Sequence, residues 1–367
     1  MVVGVPAGVT AGDEGHVVPG VKGALARSGR PSVGPIRRPP LGSPRGTRKN
    51  RTMRAAVIHR FGGPEEIEIV DDFPNPTAGE GEVVVRVADA GVNPLDHKIR
   101  DGSSGMAAQL RDEDFPLVLG RECAGTVHEV GPGVSEFAPG DRVFGMAPLD
   151  HKGHCYAEYV SLPQSALAHS PDGVDDVALA GLSLVGLTAW VAVQDLAHVG
   201  PEDVVLVHGG GGGVGFMAVQ LAREAGATVY ATASARNAER LRQVGATPVD
   251  YTSEDFTQVT PRPSVIIDCV YMGTYEPSMD HLAEGGRLVL LPSLADIGPA
   301  KERGIDVSIP RIAPDRERLD ALGAALADGR LTLTIAEVLP LAEVAEAHRI
   351  VEAGHTPGKI VLDVAGG

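Results

Sequence analysis

The stretch that decides the fold reads Val204-Val-Leu-Val-His-Gly-Gly-Gly-Gly-Gly-Val-Gly215, and a helical pattern over residues 216–225 follows it. Four apolar residues predict a short buried strand, so a glycine-rich turn joins a strand to a helix. Gly210, Gly212 and Gly215 have the G-x-G-x-x-G spacing with which such turns bind a dinucleotide pyrophosphate at a helix N-terminus. A flexible glycine loop is the alternative. We expect the cofactor to be bound by Gly210, Gly212, Gly213, Val214 and Gly215.

The next predicted strand indicates which dinucleotide binds. A site for NAD normally has Asp or Glu about 20 residues further on, where it binds the ribose 2′-hydroxyl. No acid occurs from Ala225 to Ala238, and Ser234 and Arg236 stand there instead. A hydroxyl and a guanidinium suit a 2′-phosphate, which accepts charge-assisted hydrogen bonds. The sequence therefore predicts NADPH, unless Arg236 is only a solvated residue at the start of a helix.

The rest of the chain divides by its hydrophobic pattern. Short β-rich runs separated by Gly and Pro predict a mostly antiparallel β domain before residue 175. Beyond it, apolar strands alternate with helices, which predicts a parallel sheet covered on both faces. The fold class is therefore α/β. We predict an extension over 1–52, domains over 53–175 and 176–310, and a final segment over 311–367.

Composition limits the partners. Residues 1–52 contain no aromatic residue and are rich in Gly, Pro and Arg, so we expect them to be disordered. The net charge of the whole chain is −16. An acidic protein repels nucleic-acid phosphates and anionic lipids, which argues against both as partners. Three cysteines without a CxxC pair favour the reducing cytoplasm. No apolar run approaches the roughly 18 residues that span a bilayer, and residues 177–193 are interpreted as a buried helix.

From about residue 53 to 364 the chain resembles the medium-chain dehydrogenase/reductase superfamily, and within it the zinc-free quinone oxidoreductase branch. Besides the glycine turn, the resemblance is carried by Ala90-Gly91-Val92-Asn93-Pro94-Leu95-Asp96, Gly120-Arg121-Glu122-Cys123-Ala124-Gly125, Gly140-Asp141-Arg142-Val143, Tyr156-Ala157-Glu158-Tyr159, Gly186-Leu187-Thr188-Ala189, Gly285-Gly286-Arg287-Leu288 and Gly358-Lys359-Ile360-Val361. It implies a GroES-like β domain, a Rossmann domain with a doubly wound parallel sheet, a C-terminal return to the first domain, and a homodimer.

The resemblance also implies the absence of zinc. Zinc-dependent relatives have a Cys ligand where this chain has Asn93, and a His ligand where it has Arg121. Their separate structural zinc needs four Cys, and this chain has three. The stretch His151-Lys-Gly-His154-Cys155 lacks a defined fourth ligand, so we interpret it as a satisfied or solvated loop.

Several site residues follow from the resemblance. Tyr251 matches a tyrosine that helps bind the 2′-phosphate, and Thr188 matches a threonine near the nicotinamide. Asn93 points into the active site in this branch, and Lys98 falls where many members carry a residue facing the cleft. The alternatives are strand packing for Tyr251, a helix-interior hydroxyl for Thr188 and a surface charge for Lys98. Asp96 is expected to be structural.

One departure from the branch concerns substrate size. The branch reads Asp-x-Val-Gly-Gly beside the nicotinamide, whereas this chain reads Asp268-Cys269-Val270-Tyr271-Met272-Gly273. We expect Val270 to contact the cofactor. Tyr271 is expected to face the nicotinamide opposite Asn93, to narrow the pocket and to be a candidate proton donor. Packing without substrate contact is the alternative for Tyr271.

These expectations combine into a functional hypothesis. The chain would be an NADPH-dependent reductase of a small quinone or α,β-unsaturated carbonyl compound, with Asn93 and then Lys98 stabilising the developing oxyanion. A nucleotide-binding redox sensor or scaffold with little turnover is the alternative, since a fold does not determine a function.

Overall fold

The structure is a computed structural model that describes residues 52–151, 153–292, 295–354 and 356–366. The extension predicted over 1–52 lies outside these residues, except for Thr52. The strands are β1 Thr52–Ile58, β2 Ile67–Pro74, β3 Glu82–Val92, β4 Leu117–Val118, β5 Glu122–Val130, β6 Arg142–Met146, β7 Tyr159–Pro163, β8 Leu167–His169, β9 Val204–His208, β10 Thr228–Ala233, β11 Thr247–Asp250, β12 Val265–Asp268, β13 Arg287–Leu290, β14 Asp306–Ser308, β15 Ile335–Pro340 and β16 Lys359–Asp363. The α-helices are α1 Pro94–Arg100, α2 Asp176–Ala180, α3 Ser183–Trp190, α4 Gly213–Glu224, α5 Ala238–Gln243, α6 Phe256–Val259, α7 Tyr275–His281, α8 Gly298–Glu302, α9 Arg316–Ala327 and α10 Val344–Glu352.

Six strands form one parallel sheet in the order β11-β10-β9-β12-β13-β14. The apolar strands predicted around the glycine turn lie at its centre, because such strands are stable only when both faces are covered. The chain order reverses between β9 and β12, which is the switch point of a doubly wound sheet. Ligands bind such sheets outside the carboxyl ends of the strands at this point, where the segments after His208 and Asp268 begin.

The strands β1 to β8 form two antiparallel sheets, and the C-terminal strands β15 and β16 extend one of them. A seven-stranded sheet has the order β15-β16-β3-β5-β6-β8, and β7 also pairs with β3. Glu82–Arg86 of β3 pair with β7, whereas residues 89–92 of the same strand pair with β16. The expected combination of a GroES-like β domain and a Rossmann sheet is confirmed. The C-terminal strands β15 and β16 belong to the seven-stranded sheet, beside β3.

Helix α3 packs against β6 of the seven-stranded sheet and against α4, which covers the parallel sheet. A single apolar cluster contains Phe144 of β6, Leu187 of α3 and Val207 of β9, each fully buried. Burying such side chains stabilises a protein by roughly 1.5–3 kcal/mol each, so this cluster holds the two sheets against one another. The cleft between the two sheets therefore lies above a closely packed apolar cluster.

Some element boundaries differ from those predicted. The buried helix expected over 177–193 consists of α2, α3 and a π-helix Val191–Leu196, with Gly181 ending the first piece. The strand expected near 331–335 begins only at Ile335. Strands of two to four residues, such as β4 and β8, are too short to give a periodic signal. No helix in the described part of the chain is both long and apolar enough to cross a bilayer.

Candidate active site

A cavity of about 1350 Å³ opens at the carboxyl ends of the parallel strands and reaches the end of β3. Drug-sized ligands occupy pockets of roughly 300–1,000 Å³, so this one has room for a dinucleotide beside a small substrate. Most of the residues selected from the sequence lie along it. These are Asn93, Gly212, Gly213, Val214, Gly215, Ser234, Arg236, Tyr251 and Val270.

The glycine turn has the geometry of a phosphate cradle. Gly209 adopts a positive φ of 73°, which glycine adopts without strain. A Cβ on Gly215 would lie 2.2 Å from the carbonyl oxygen of Gly209, so only glycine lets α4 start this close to the turn. A Cβ on Gly212 would approach nothing nearer than 3.5 Å, which leaves its face open to a ligand. The unpaired N–H groups of the first turn of α4 therefore suit a pyrophosphate.

The role assigned to Gly210 is corrected by the structure. Gly210 does not line the cavity, and a Cβ there would lie 2.7 Å from the Cβ of Ala231 in β10. Its N–H donates to the carbonyl oxygen of Thr232 at 2.9 Å. Gly210 thus allows the turn to pack on the sheet, and Gly211 lines the cavity beside Gly212.

The polar groups expected to bind the 2′-phosphate follow two adjacent strands. Ala233 of β10 pairs with Asp250 of β11, so Ser234 and Tyr251 leave the sheet side by side. Both line the cavity together with Arg236, and 59% of Tyr251 is exposed. This arrangement of two hydroxyls and a guanidinium fits a phosphate monoester.

Asn93 belongs to a buried polar cluster with two residues that the sequence analysis did not assign. Its Nδ2 donates to Oε1 of Glu122 at 2.8 Å, and its Oδ1 accepts from Nζ of Lys359 at 2.5 Å. Lys359 and Glu122 form an ion pair of 2.8 Å and are at most 3% exposed. The available signal was a charged residue at the start of a strand, directly followed by apolar residues: Glu122 begins β5 and Lys359 begins β16. Such buried charges are rare unless they are paired.

Two other residues assigned from the sequence, Lys98 and Thr188, do not line the cavity. Lys98 is exposed on α1 and does not line the cavity. The Thr188 hydroxyl donates to the carbonyl oxygen of Leu184 at 2.6 Å, as a helix-interior threonine commonly does. Thr188 also lies outside the cavity lining, whereas Leu184 and Val185 are part of it.

Tyr271 was expected to face the cleft, but it does not line the cavity. Its φ of 71° is unusual for a residue other than glycine, and its ring stacks on Tyr275 with 5.1 Å between the ring centroids. Its hydroxyl accepts the backbone N–H of Asp296 at 3.1 Å. The cavity is lined instead by Val270 and by Met272, which is 80% exposed.

Arg121, which the resemblance aligns with a zinc ligand of the zinc-dependent members, is buried. Its guanidinium donates to the carbonyl oxygens of Ala147, Pro148 and His151. Desolvation lowers the pKa of this guanidinium. Within the residues that the structure describes, no group of three or more His, Cys, Asp or Glu side chains is placed to hold a metal.

Two further titratable groups belong to this region, the Cys269 thiol in the cavity lining and the Asp96 carboxyl outside it. Cys269 lines it, and burial raises the pKa of this thiol above its usual range, so the thiol keeps its proton at neutral pH. Asp96 is fully buried, accepts the backbone N–H of Asn93 at 2.8 Å and the Tyr156 hydroxyl at 3.0 Å, and does not line the cavity. Asp96 therefore orients the start of α1.

Two family models match the chain, the alcohol dehydrogenase GroES-like domain over residues 79–193 and the zinc-binding dehydrogenase over residues 244–362. A 2-haloacrylate reductase from Burkholderia is 33% identical over 336 residues, which cover 84% of this chain and 98% of the relative.

Solved structures with a similar fold are also oxidoreductases or bind a nicotinamide cofactor. The quinone oxidoreductase from Coxiella burnetii has a TM-score of 0.81 and 34% identity, covering 86% of this chain and all of that one. A mycobacterial protein solved in complex with NADPH has a TM-score of 0.75 and 29% identity, covering 85% of this chain and all of that one. Together with the phosphate cradle at the glycine turn, these similarities identify the protein as an oxidoreductase. The chain belongs to the medium-chain dehydrogenase/reductase superfamily, as a quinone oxidoreductase-like member.

Proposed function

We propose that the protein is a zinc-independent reductase that uses NADPH to reduce a small quinone or α,β-unsaturated carbonyl compound. The observation that carries this proposal is one cavity lined by the glycine turn, by the Ser234, Arg236 and Tyr251 group, and by Asn93. The relatives named quinone oxidoreductase and 2-haloacrylate reductase support the substrate class, since quinones and 2-haloacrylates both contain an electron-poor carbon–carbon double bond conjugated to a carbonyl group.

The cofactor is held by the groups that fit its two phosphate positions. The N-terminus of α4 binds the pyrophosphate, and Arg236 with the two hydroxyls binds the 2′-phosphate. Val270 borders the same cavity at the carboxyl end of β12. When bound, NADPH supplies a hydride for an electron-poor carbon of the substrate.

The chain itself stabilises the charge that the substrate acquires. Negative charge builds on the substrate oxygen, and without a metal a hydrogen-bond donor must meet it. Asn93 has two Nδ2–H groups, of which one is bound to Glu122, so the other is available to this oxygen. The protonated Cys269 thiol is a poor nucleophile, which favours direct reduction over a covalent intermediate.

The test is steady-state oxidation of NADPH by the purified protein with a panel of quinones and enones. We expect turnover with at least one of them, and Asn93→Ala should lower kcat by about 10²–10³ while changing KM less. Tight NADPH binding without turnover across the panel would favour the sensor or scaffold instead.

A further inference from the structure

The cluster around Asn93 joins three parts of the chain at the wall of the cleft. Asn93 follows β3, Glu122 begins β5, and Lys359 begins β16. The second carboxylate oxygen of Glu122 accepts the backbone N–H of Leu184 in α3 at 2.7 Å. Glu122 is 0% exposed and Lys359 is 3% exposed, so solvent does not compete for these bonds.

The donors of Lys359 are fully used within the protein. An ammonium group has three N–H donors and no acceptor. Nζ of Lys359 contacts the carbonyl oxygen of Val92 at 3.0 Å, Oδ1 of Asn93 at 2.5 Å and Oε1 of Glu122 at 2.8 Å. Lys359 therefore has no donor left for a substrate, and its effect on chemistry must pass through Asn93.

The chemistry of the two partners determines which way the Asn93 amide points. An ammonium can only donate, so the amide oxygen must face Lys359. A carboxylate can only accept, so the amide nitrogen must face Glu122. A flipped amide would set two donors against each other on one side and two acceptors on the other. With its oxygen bound to the ammonium, Asn93 lines the cavity with a second N–H that is not used by Glu122.

We infer that Lys359 and Glu122 are positioning residues that hold the Asn93 amide in the orientation in which it donates to the substrate oxygen. The inference rests on the proposed function and specifies how its oxyanion donor is prepared. The pair is neutral as a whole, so it orients the donor without adding net charge to the cleft.

Two glycines fit this arrangement. A Cβ on Gly91 would lie 2.3 Å from Oε1 of Glu122, so glycine leaves room for the carboxylate. A Cβ on Gly213 would lie 3.3 Å from Cδ of Lys359, so the stem of Lys359 runs beside the first residue of α4. The residue that orients Asn93 thus also packs against the turn that binds the cofactor.

The test is a mutant cycle that removes both charges together. Removing one partner of a buried ion pair leaves an uncompensated charge, so Glu122→Gln and Lys359→Met are combined. We expect this pair variant to lower kcat by about 10²–10³, as we expect of Asn93→Ala. The NADPH dissociation constant should change far less, because Met at position 359 keeps an apolar stem beside Gly213. Adding Asn93→Ala to the pair variant should lower kcat no further, within about 2-fold. Glu302→Gln with Lys301→Met on the exposed face of α8 is the matched control and should keep full activity.

A second measurement needs no turnover. Of the two side-chain amide protons of Asn93, identified in the NMR spectrum by their loss in Asn93→Ala, the one bound to Glu122 should exchange with solvent more slowly than the other, and this difference should disappear in the pair variant. Equal exchange of the two protons in the unmutated protein would overturn the inference, and so would a further loss of kcat when Asn93→Ala is added to the pair variant. Absence of turnover in the unmutated protein would instead refute the proposed function, and amide exchange would then decide the inference alone.

Discussion

Arg236 is the residue on which we expect the choice between NADPH and NADH to depend. It lines the cavity beside Ser234 and Tyr251, where an NAD site would have an acid. Hydrogen bonds to a charged group contribute about 1.5–3 kcal/mol, so Arg236→Glu should weaken NADPH binding by roughly 10–100-fold and reverse the preference. Titration with both cofactors measures this, with Arg242→Glu on the exposed side of α5 as the control. Equal affinity of the unmutated protein for both cofactors would contradict the prediction.

Tyr271 should matter for packing and little for catalysis. Its hydroxyl accepts the N–H of Asp296, its ring stacks on Tyr275, and it does not line the cavity. We expect Tyr271→Phe to keep kcat and substrate range, and to lower the free energy of unfolding by about 0.5–1.5 kcal/mol through the lost hydrogen bond. Denaturant unfolding and steady-state kinetics provide the two readouts. A large loss of kcat would restore the role expected from the sequence.

The error over Tyr271 has a local physical cause. The sequence places it correctly after β12, at the edge where parallel sheets bind ligands. It does not reveal the positive φ, which is rare outside glycine and changes the direction in which the side chain leaves the backbone. Thr188 was misassigned for a similar reason, because the sequence does not show whether a helix hydroxyl bonds to the preceding turn.

At the scale of the elements, the buried Asp96 carboxyl at the start of α1 should make the free energy of unfolding depend on pH. Burial raises the pKa of Asp96 to about 6, from an ordinary value of 3.8. The folded protein therefore keeps this proton to higher pH than the unfolded chain, so stability falls as the pH rises from about 4 to about 6. Two pKa units correspond to about 3 kcal/mol.

Asp96→Asn removes this titration and keeps an acceptor for the N–H of Asn93 and the Tyr156 hydroxyl. The unfolding free energy of the unmutated protein, relative to Asp96→Asn, should fall by about 3 kcal/mol between about pH 4 and about pH 7. Asp72→Asn, at an exposed position, should follow the unmutated protein. A relative stability that rises over this range would show that Asp96 ionises more readily in the folded state.

At the scale of the whole molecule, local patterns predicted the architecture better than the site. The glycine turn, β9 and α4 are contiguous, so their geometry follows from neighbouring residues. The cluster of Asn93, Glu122 and Lys359 joins residues up to 266 positions apart, and only packing reveals it. The sequence showed these residues within motifs, and the structure shows that they touch.

A further prediction for the whole molecule is that the purified protein contains no stoichiometric zinc. The resemblance implies that Arg121 and Asn93 stand where zinc-dependent members have their ligands, and the buried Arg121 guanidinium already donates to three carbonyl oxygens. A fixed cation at this place disfavours a second one. We expect elemental analysis of the purified protein to find far less than one zinc per chain, and chelators to leave turnover unchanged. About one zinc per chain would refute this prediction.

The pairing of β16 with β3 has a consequence for how the protein is made. N-terminal parts of a chain generally fold first during synthesis. Residues 89–92 of β3 keep an open edge until β16 emerges from the ribosome, and open strand edges favour aggregation. The same late segment delivers the ammonium that holds Asn93. We therefore expect a nascent chain to complete the glycine turn and α4 before Lys359 can orient Asn93.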